Sequence, residues 1–256
     1  MARRYVITSL ALFAALTVLL GVLYPLAVYA VGQVGFRQQA EGSLVKENGQ
    51  IIGSKLIAED FTSAKYFHPR PSKTIGTGFD GNGYDASASA ASNLGPSNPK
   101  LIGNVPGVNI DGKNPYATLA DPYCLPVQAT DKNGNDITDK NGNPVYEKNK
   151  NGTYVCDPGT IPQRVLAYRA ENGLAANIKV PVDAVTASFS GLDPAISVAN
   201  ARLQAPRVAK ARHLGLGAVM SEISKHTQGR MLGFLGEPNV NVLELNLALD
   251  HLPSGT

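Results

Sequence analysis

The chain of 256 residues contains no Trp, only two cysteines and four histidines, and its aromatic share is 7%. A local absence says more: between Arg4 and Arg37 there is no Asp, Glu, Lys, Arg or His. A surface helix of a soluble domain needs a polar face, so this run is not one. Its apolar part, Val6 to about Ala30, spans roughly 25 residues, which at about 1.5 Å each exceeds the roughly 30 Å of bilayer hydrocarbon. One tilted transmembrane helix fits, anchored by Val6, Leu10, Phe13, Leu16, Leu20, Leu23, Tyr24 and Pro25. The competing reading is a cleaved signal peptide, with Arg3 and Arg4 as its basic region and Val28-Tyr29-Ala30 as its cleavage site. A signal core covers about 7–15 residues, and this run continues through Val31, Val34 and Phe36, which favours a retained anchor. Arg3 and Arg4 on a short tail then keep the N-terminus in the cytoplasm and send everything after Phe36 outside.

The scarcity of cysteine excludes a disulfide-built scaffold. Outside the cytoplasm the isolated pair Cys124 and Cys156 reads as one disulfide, closing a loop of about 33 residues worth roughly 3–4 kcal/mol in the chain-entropy model. A metal site using both would need a nearby histidine, and His68, His213, His226 and His251 are all distant in sequence. Setting aside Arg3 and Arg4 leaves 21 basic against 20 acidic residues, which excludes nucleic acid as a partner. Basic residues do cluster at Arg202, Arg207, Lys210 and Arg212, with no acid between Asp193 and Glu222. A solvated helix face is favoured there over a surface for anionic lipid or an acidic partner.

Catalytic signatures are also missing: there is no G-x-S-x-G elbow, H-E-x-x-H pair or phosphate-binding Walker loop. Asp183 and Asp193 flank a Ser/Gly-rich loop and could hold a cation or substrate, but turn capping is the favoured reading. His226 is read as a helix-end residue bonded to backbone rather than a base. Asp131-Lys132-Asn133-Gly134-Asn135 recurs as Asp139-Lys140-Asn141-Gly142-Asn143, with a third Asn-Gly at Asn151-Gly152. The glycine falls at the fourth position rather than the sixth, so these are hairpin turns before they are calcium loops.

Elsewhere, Asn48-Gly49 between Ser43–Val45 and Ile51–Ile52 predicts a hairpin. Phe61 to Pro99 is rich in Ser, Ala, Gly and Pro, and predicts an extended loop anchored by Tyr66, Phe67, Phe79 and Tyr84. Arg164 to Arg169 predicts a helix ended by Asn172-Gly173, and Ile178 to Ala187 a strand. Pro206 is placed in the first turn of a helix carrying Val208, Ala209 and Ala211, and Val219 to Ile223 in another. Leu243, Leu245, Leu247 and Leu249 alternate like a strand, while their propensities and Asn241 as a cap favour helix, so that element stays open. The fold class is a single N-terminal transmembrane helix followed by a mixed α/β (α+β) extracytoplasmic domain. Residues 1–36 form tail and anchor, and 37–256 the soluble domain, with a hairpin-rich insertion at about 103–160.

Several ordered runs together resemble one family. They are Tyr24-Pro25-Leu26-Ala27, Gly42-Ser43-Leu44, Tyr66-Phe67-His68-Pro69-Arg70-Pro71-Ser72, Ser92-Asn93-Leu94-Gly95-Pro96-Ser97-Asn98-Pro99, Pro181 to Ser188, Ser190 to Pro194, Pro206 to Arg212 and Val240 to Asp250. In that order they resemble the C subunit of the Kdp potassium-transporting ATPase. The resemblance implies a non-catalytic, single-pass accessory subunit of an ATP-driven, high-affinity potassium importer in the bacterial plasma membrane. Its partners would be the bilayer, a channel-like A subunit, a P-type ATPase B subunit and a small F subunit. The complex would use ATP and Mg2+ and transport K+. The resemblance implies no catalytic, cofactor or metal residue in this chain, and no phosphate-cradling loop supports the nucleotide role proposed for the family. Small residues including Gly21 would let the helix dock closely against a neighbour. Tyr66, Phe67, Arg70, Asn93, Leu94, Pro96 and Asn98 would form an external clamp on the channel-like subunit. Ala195 stands where the family usually carries a histidine, so a role needing that imidazole is absent. The rival reading is an anchored extracytoplasmic enzyme or solute-binding protein built on the Thr186–Asp193 loop and His226.

Overall fold

The computed structural model describes residues 2–74, 84–95, 98, 101, 127–132, 134–142, 145–152, 155–156 and 159–253. Two compact units divide the chain at Leu56 and Ile57.

The first unit begins with helix α1, Ala2–Gly35, a 34-residue apolar rod long enough to cross a bilayer, with no buried residue. One turn, Leu19–Leu23, widens to π geometry, and the Tyr24 N–H reaches back to the Leu19 carbonyl. The cause is Pro25, which has no N–H to donate and whose ring crowds the preceding turn; a wide turn relieves both defects without breaking the helix. A short helix α2, Arg37–Ala40, leads to the predicted hairpin of β1, Leu44–Glu47, and β2, Gln50–Ser54. Asn48 and Gly49 take φ of +50° and +83°, the positive angles an Asn-Gly hairpin turn requires. The Ser54 hydroxyl donates to the Gly42 carbonyl at 2.7 Å, fastening the end of the hairpin to the chain that enters it.

The second unit is built on helices α3, Ile161–Glu171; α4, Val198–Ala211; α5, Leu216–Lys225; and α6, Val242–Asp250. A small antiparallel sheet of β3, Ala195–Ser197, β4, Thr227–Gln228, and β5, Asn239–Asn241, runs in the order β3-β5-β4. Ala201, Ala205, Val208 and Ala209 lie on one face of α4 at helical spacing and are buried. With Ile196, Val219, Ile223, Val240, Leu245, Leu249 and Phe67 they form one core.

The ambiguous leucine run is resolved as helix. Asn241 caps α6, its Oδ1 accepting from the Glu244 N–H at 3.1 Å, and the buried set Val242, Leu245, Asn246 and Leu249 follows the helical period. Two expectations are corrected. Residues 178–187 form no strand: Pro181 precedes a single 3-10 turn, Val182–Ala184, and Asp183 turns toward α4. Pro206 lies deep inside α4 on its exposed side rather than in its first turn, because the helix already starts at the cap Ser197.

In the described part of the insertion, Gly134, Gly142 and Gly152 take positive φ, each in a turn closed onto Asp131, Asp139 or Asn149. The segments between them close as rings of three rather than as a flat ribbon. Ala129 N–H donates to Val145 O at 2.8 Å, Val145 N–H to Ile137 O at 3.0 Å, and Ile137 N–H to Ala129 O at 2.9 Å. Val127, Val155 and Glu147 repeat the ring at 2.9, 3.0 and 2.9 Å. Cys156 is disulfide-bonded; Cys124, the other cysteine, lies outside the described residues.

Candidate interaction surface

An extended segment, residues 61–74, crosses the helical core with no helix or strand of its own. Its backbone polar groups therefore need other partners, and side chains of α4 and α6 supply them. Asn246 accepts from the Phe67 N–H at 2.8 Å and donates to the Phe67 carbonyl at 2.9 Å. Gln204 does the same for His68, accepting from its N–H at 2.8 Å and donating to its carbonyl at 3.0 Å. Each primary amide imitates a neighbouring strand.

Behind Gln204 the network continues into α4. Gln204 Nε2 also donates to Asn200 Oδ1 at 2.9 Å, which accepts the Tyr168 hydroxyl at 2.8 Å. Asn200 Nδ2 donates to Asp183 Oδ2 at 3.0 Å, and the Ser197 N–H and hydroxyl also donate to the Asp183 carboxylate. Asp183 thus caps α4 through Ser197. Burial, with the nearby Asp183 charge, pushes the Tyr168 phenol well above its ordinary value, so it stays a donor.

Arginines fix the segment's flanks. Arg207 donates to the carbonyls of Ala64 and Tyr66 at 2.8 and 3.0 Å, to Asn172 Oδ1 at 3.0 Å and to Gln204 Oε1 at 2.9 Å. Burial holds its guanidinium below the usual value. Arg212 lies over the Tyr66 ring at 4.9 Å and pairs with Asp250 at 2.9 Å. The favoured solvated face is therefore corrected at these two positions, while Arg202 and Lys210 are exposed. His68 Nδ1 meets Glu171 at 2.6 Å. Burial acts to raise the Glu171 carboxyl, but the His68 bond and the His68 and Arg207 charges prevail and hold it below its ordinary value.

Further along, Arg70 pairs with Asp193 at 2.9 Å, and Tyr84 donates to the Arg70 carbonyl. Ser72 donates to the Gly191 carbonyl at 2.6 Å, and the Ala90 N–H to the Ser190 carbonyl at 3.0 Å. Gly191 takes φ +71°, and a Cβ there would fall 2.6 Å from the Ala90 carbonyl oxygen, so only glycine fits this crossing. Asp193 Oδ1 accepts the Ala195 N–H at 3.0 Å, and His226 Nδ1 meets the Glu222 carbonyl at 3.0 Å, which are the capping and helix-end roles expected. Among the described residues no cluster of acids, histidines and cysteines could hold a metal ion.

The crossing leaves a recess of about 490 Å³ between residues 91–95 and 186–189, lined by Asn93, Leu94, Arg164, Thr186, Ser188 and Phe189. Arg164 is buried with a bond to the Val185 carbonyl at 2.7 Å, and Phe189 on the rim is 94% exposed. Of the residues expected in an external clamp, Asn93 is exposed and Leu94 and Asn98 half-buried; Tyr66 and Arg70 are half-buried in the contacts above. Phe67 is wholly buried in the core and offers no external surface. Pro96 lies outside the described residues, and Gly21 lies on the membrane helix. Sequence reasoning missed Asn246 and Gln204, and read Arg207 only as part of a basic face. For Asn246 and Gln204 the signal was there: polar residues at the buried positions of otherwise apolar helix faces.

The model of the family described as the K+-transporting ATPase c chain matches residues 6–117 and 150–251. This chain belongs to the KdpC family. The curated potassium-transporting ATPase KdpC subunit of Mycobacterium tuberculosis H37Rv is 44% identical over 250 residues, covering 98% of this chain and all of that protein. The KdpC subunits of Caulobacter sp. K31 and Rhodospirillum rubrum are 42% and 43% identical, covering 96% and 94% of this chain and 92% and 93% of their own. The chain is thus a subunit of a potassium-transporting ATPase, a component of a potassium import complex. Phe67, His68, Gln204, Arg207, Gly191 and Asn246 all fall in the matched stretches; residues 118–149, within the insertion, do not.

Proposed function

We propose that this KdpC subunit acts without catalysis of its own, supporting the assembly and stability of the channel-like A and P-type ATPase B subunits, with the small F subunit beside them. The observation that carries this reading is the extended segment 61–74, whose backbone is held by Asn246, Gln204 and Arg207, and whose Ser72 bonds to Gly191 beside the Ala90–Ser190 bond that ties together the chain next to the 91–95 and 186–189 loops. A preorganised surface loses little conformational entropy on docking, which suits a clamp more than a reaction. The rim carries Asn93, Leu94 and Phe189, side chains that fit a protein surface, and the chemistry-bearing Asp183, Asp193 and His226 serve as caps or backbone contacts.

In this reading α1 docks through its small residues, Gly21 among them, against a neighbouring membrane helix. Arg3 and Arg4 stay cytoplasmic, and the domain lies in the periplasmic or extracellular space at the bacterial plasma membrane. ATP and Mg2+ are used by the complex and K+ is its cargo; this chain holds none of them as its own cofactor.

The test is co-purification from membranes in mild detergent through a C-terminal tag, with potassium-stimulated ATPase activity measured in the recovered material. Recovery of a P-type ATPase whose activity falls when this chain is omitted supports the reading. Recovery of the chain alone, with ligand binding or turnover of its own, would establish the anchored enzyme or binding protein instead.

A further inference from the structure

Residues 229–236, between β4 and β5, project four large apolar side chains into solvent. Met231, Leu232, Phe234 and Leu235 are 69%, 78%, 68% and 46% exposed, with no charged residue between Arg230 and Glu237. The loop is an ordered hairpin: the Met231 and Leu235 N–H groups each donate to the other's carbonyl at 2.9 Å. Leu232 and Gly233 turn its tip with φ of +53° and +82°. At its neck Arg230 Nη2 reaches both Glu237 carboxylate oxygens, at 2.8 and 2.7 Å, and neutralises them.

We propose that this hairpin enters the hydrocarbon boundary of the bilayer that α1 occupies, as a second membrane attachment of the domain. Three observations select lipid over a protein groove. The tip offers on the order of 500 Å² of exposed apolar side chain, enough to mark an interaction site but below the roughly 800 Å² per partner of a stable protein interface. Its composition is Met, Leu and Phe, without the Tyr, Trp and free Arg that anchor protein interfaces; its one arginine is committed to Glu237. Finally, α1 belongs to the same chain, so lipid is present at high effective concentration, and a modest apolar insertion suffices when a first anchor exists. The Arg230–Glu237 pair would then lie among the headgroups, beside an uncharged tip. The inference rests on α1 as an anchor and not on the clamp.

Because the chain contains no Trp, Phe234→Trp gives a single reporter in the full-length protein. The protein is reconstituted in phosphatidylethanolamine and phosphatidylglycerol vesicles, with and without lipid carrying a nitroxide high on its acyl chain. The expected result is blue-shifted emission quenched several-fold more than that of Phe189→Trp, an exposed position on a different loop. Adding Leu232→Asp to Phe234→Trp should abolish that quenching while the circular dichroism and the recovery of the complex stay unchanged. Equal, water-like emission from both reporters overturns the proposal, as does quenching that survives Leu232→Asp. Shielding that appears only when the other subunits are co-reconstituted, without nitroxide quenching, assigns the hairpin to a protein groove and also overturns it.

Discussion

The Asn246 side chain holds both backbone groups of Phe67, accepting from its N–H at 2.8 Å and donating to its carbonyl at 2.9 Å, while the Phe67 ring is fully buried in the core. One residue of α6 therefore fixes where the extended segment crosses the domain, and Gln204 of α4 repeats the device one residue on.

Asn246→Leu keeps the branched outline of the side chain and removes both bonds, leaving a buried donor and a buried acceptor without partners. The expected loss is about 2–6 kcal/mol of stability, at about 1–3 kcal/mol for each of the two unsatisfied groups. Denaturant unfolding of the full chain in detergent, followed by circular dichroism, measures it. A loss below about 1 kcal/mol would show that the segment is held by other contacts.

Gly191→Ala introduces a Cβ 2.6 Å from the Ala90 carbonyl oxygen and 2.9 Å from Thr74 Cγ2, at φ +71°. Strain and displacement together should cost about 2 kcal/mol or more. Since residue 191 sits where three loop segments cross, complex recovery should fall with the melting temperature. An unchanged melting temperature would mean that the segment carrying Ala90 moves freely.

Glu171 predicts a pH dependence. Its folded-state value lies below the unfolded value of about 4.3, so the folded chain holds fewer protons there. The stability it contributes is complete above that value and is lost as pH falls through the folded one. Burial raises the Glu59 and Asp60 carboxyls, with the opposite sign, so these two oppose part of the acid loss. Glu171→Gln should lower stability near neutral pH and shrink the difference from the parent chain below about pH 4. Melting temperatures across pH 3–8 check this; parallel curves at all pH values would exclude Glu171 as a contributor.

For the proposed clamp, Leu94→Asp places a charge in the recess, and Asn93→Ala removes a polar group from its rim. Both should lower recovery of the ATPase subunits several-fold, with the chain itself still folded. Deleting residues 118–149 together with Cys156→Ser should leave recovery unchanged, because that stretch lies outside the family's matched residues. Full recovery with Leu94→Asp, or its collapse on the deletion, would move the contact surface to another face.

Patterns that act locally were legible in the sequence. The uncharged run from Tyr5 to Phe36 has no stable form in water except buried, and becomes α1; Asn48-Gly49 carries its own turn geometry; the Asn-Gly repeats give three positive-φ glycines. Capping by Asp193 and the backbone contact of His226 also follow from near neighbours. Residues 178–187 misled because valine favours strands only where another strand is available to pair, and Asp183 is instead drawn to Ser197 and Asn200.

What the sequence by itself determined is the membrane helix, the local turns and caps, and, through the ordered motifs, the family. Tertiary structure decided which polar residues hold the extended segment. Asn246, Gln204 and Arg207 lie 179, 136 and 141 residues from the backbone groups they bind at Phe67, His68 and Tyr66. No periodicity records a partner at that separation. Tertiary structure also turned Phe67 inward and left the 231–235 hairpin outward, though both are apolar, because burial depends on what the folded chain brings alongside each residue.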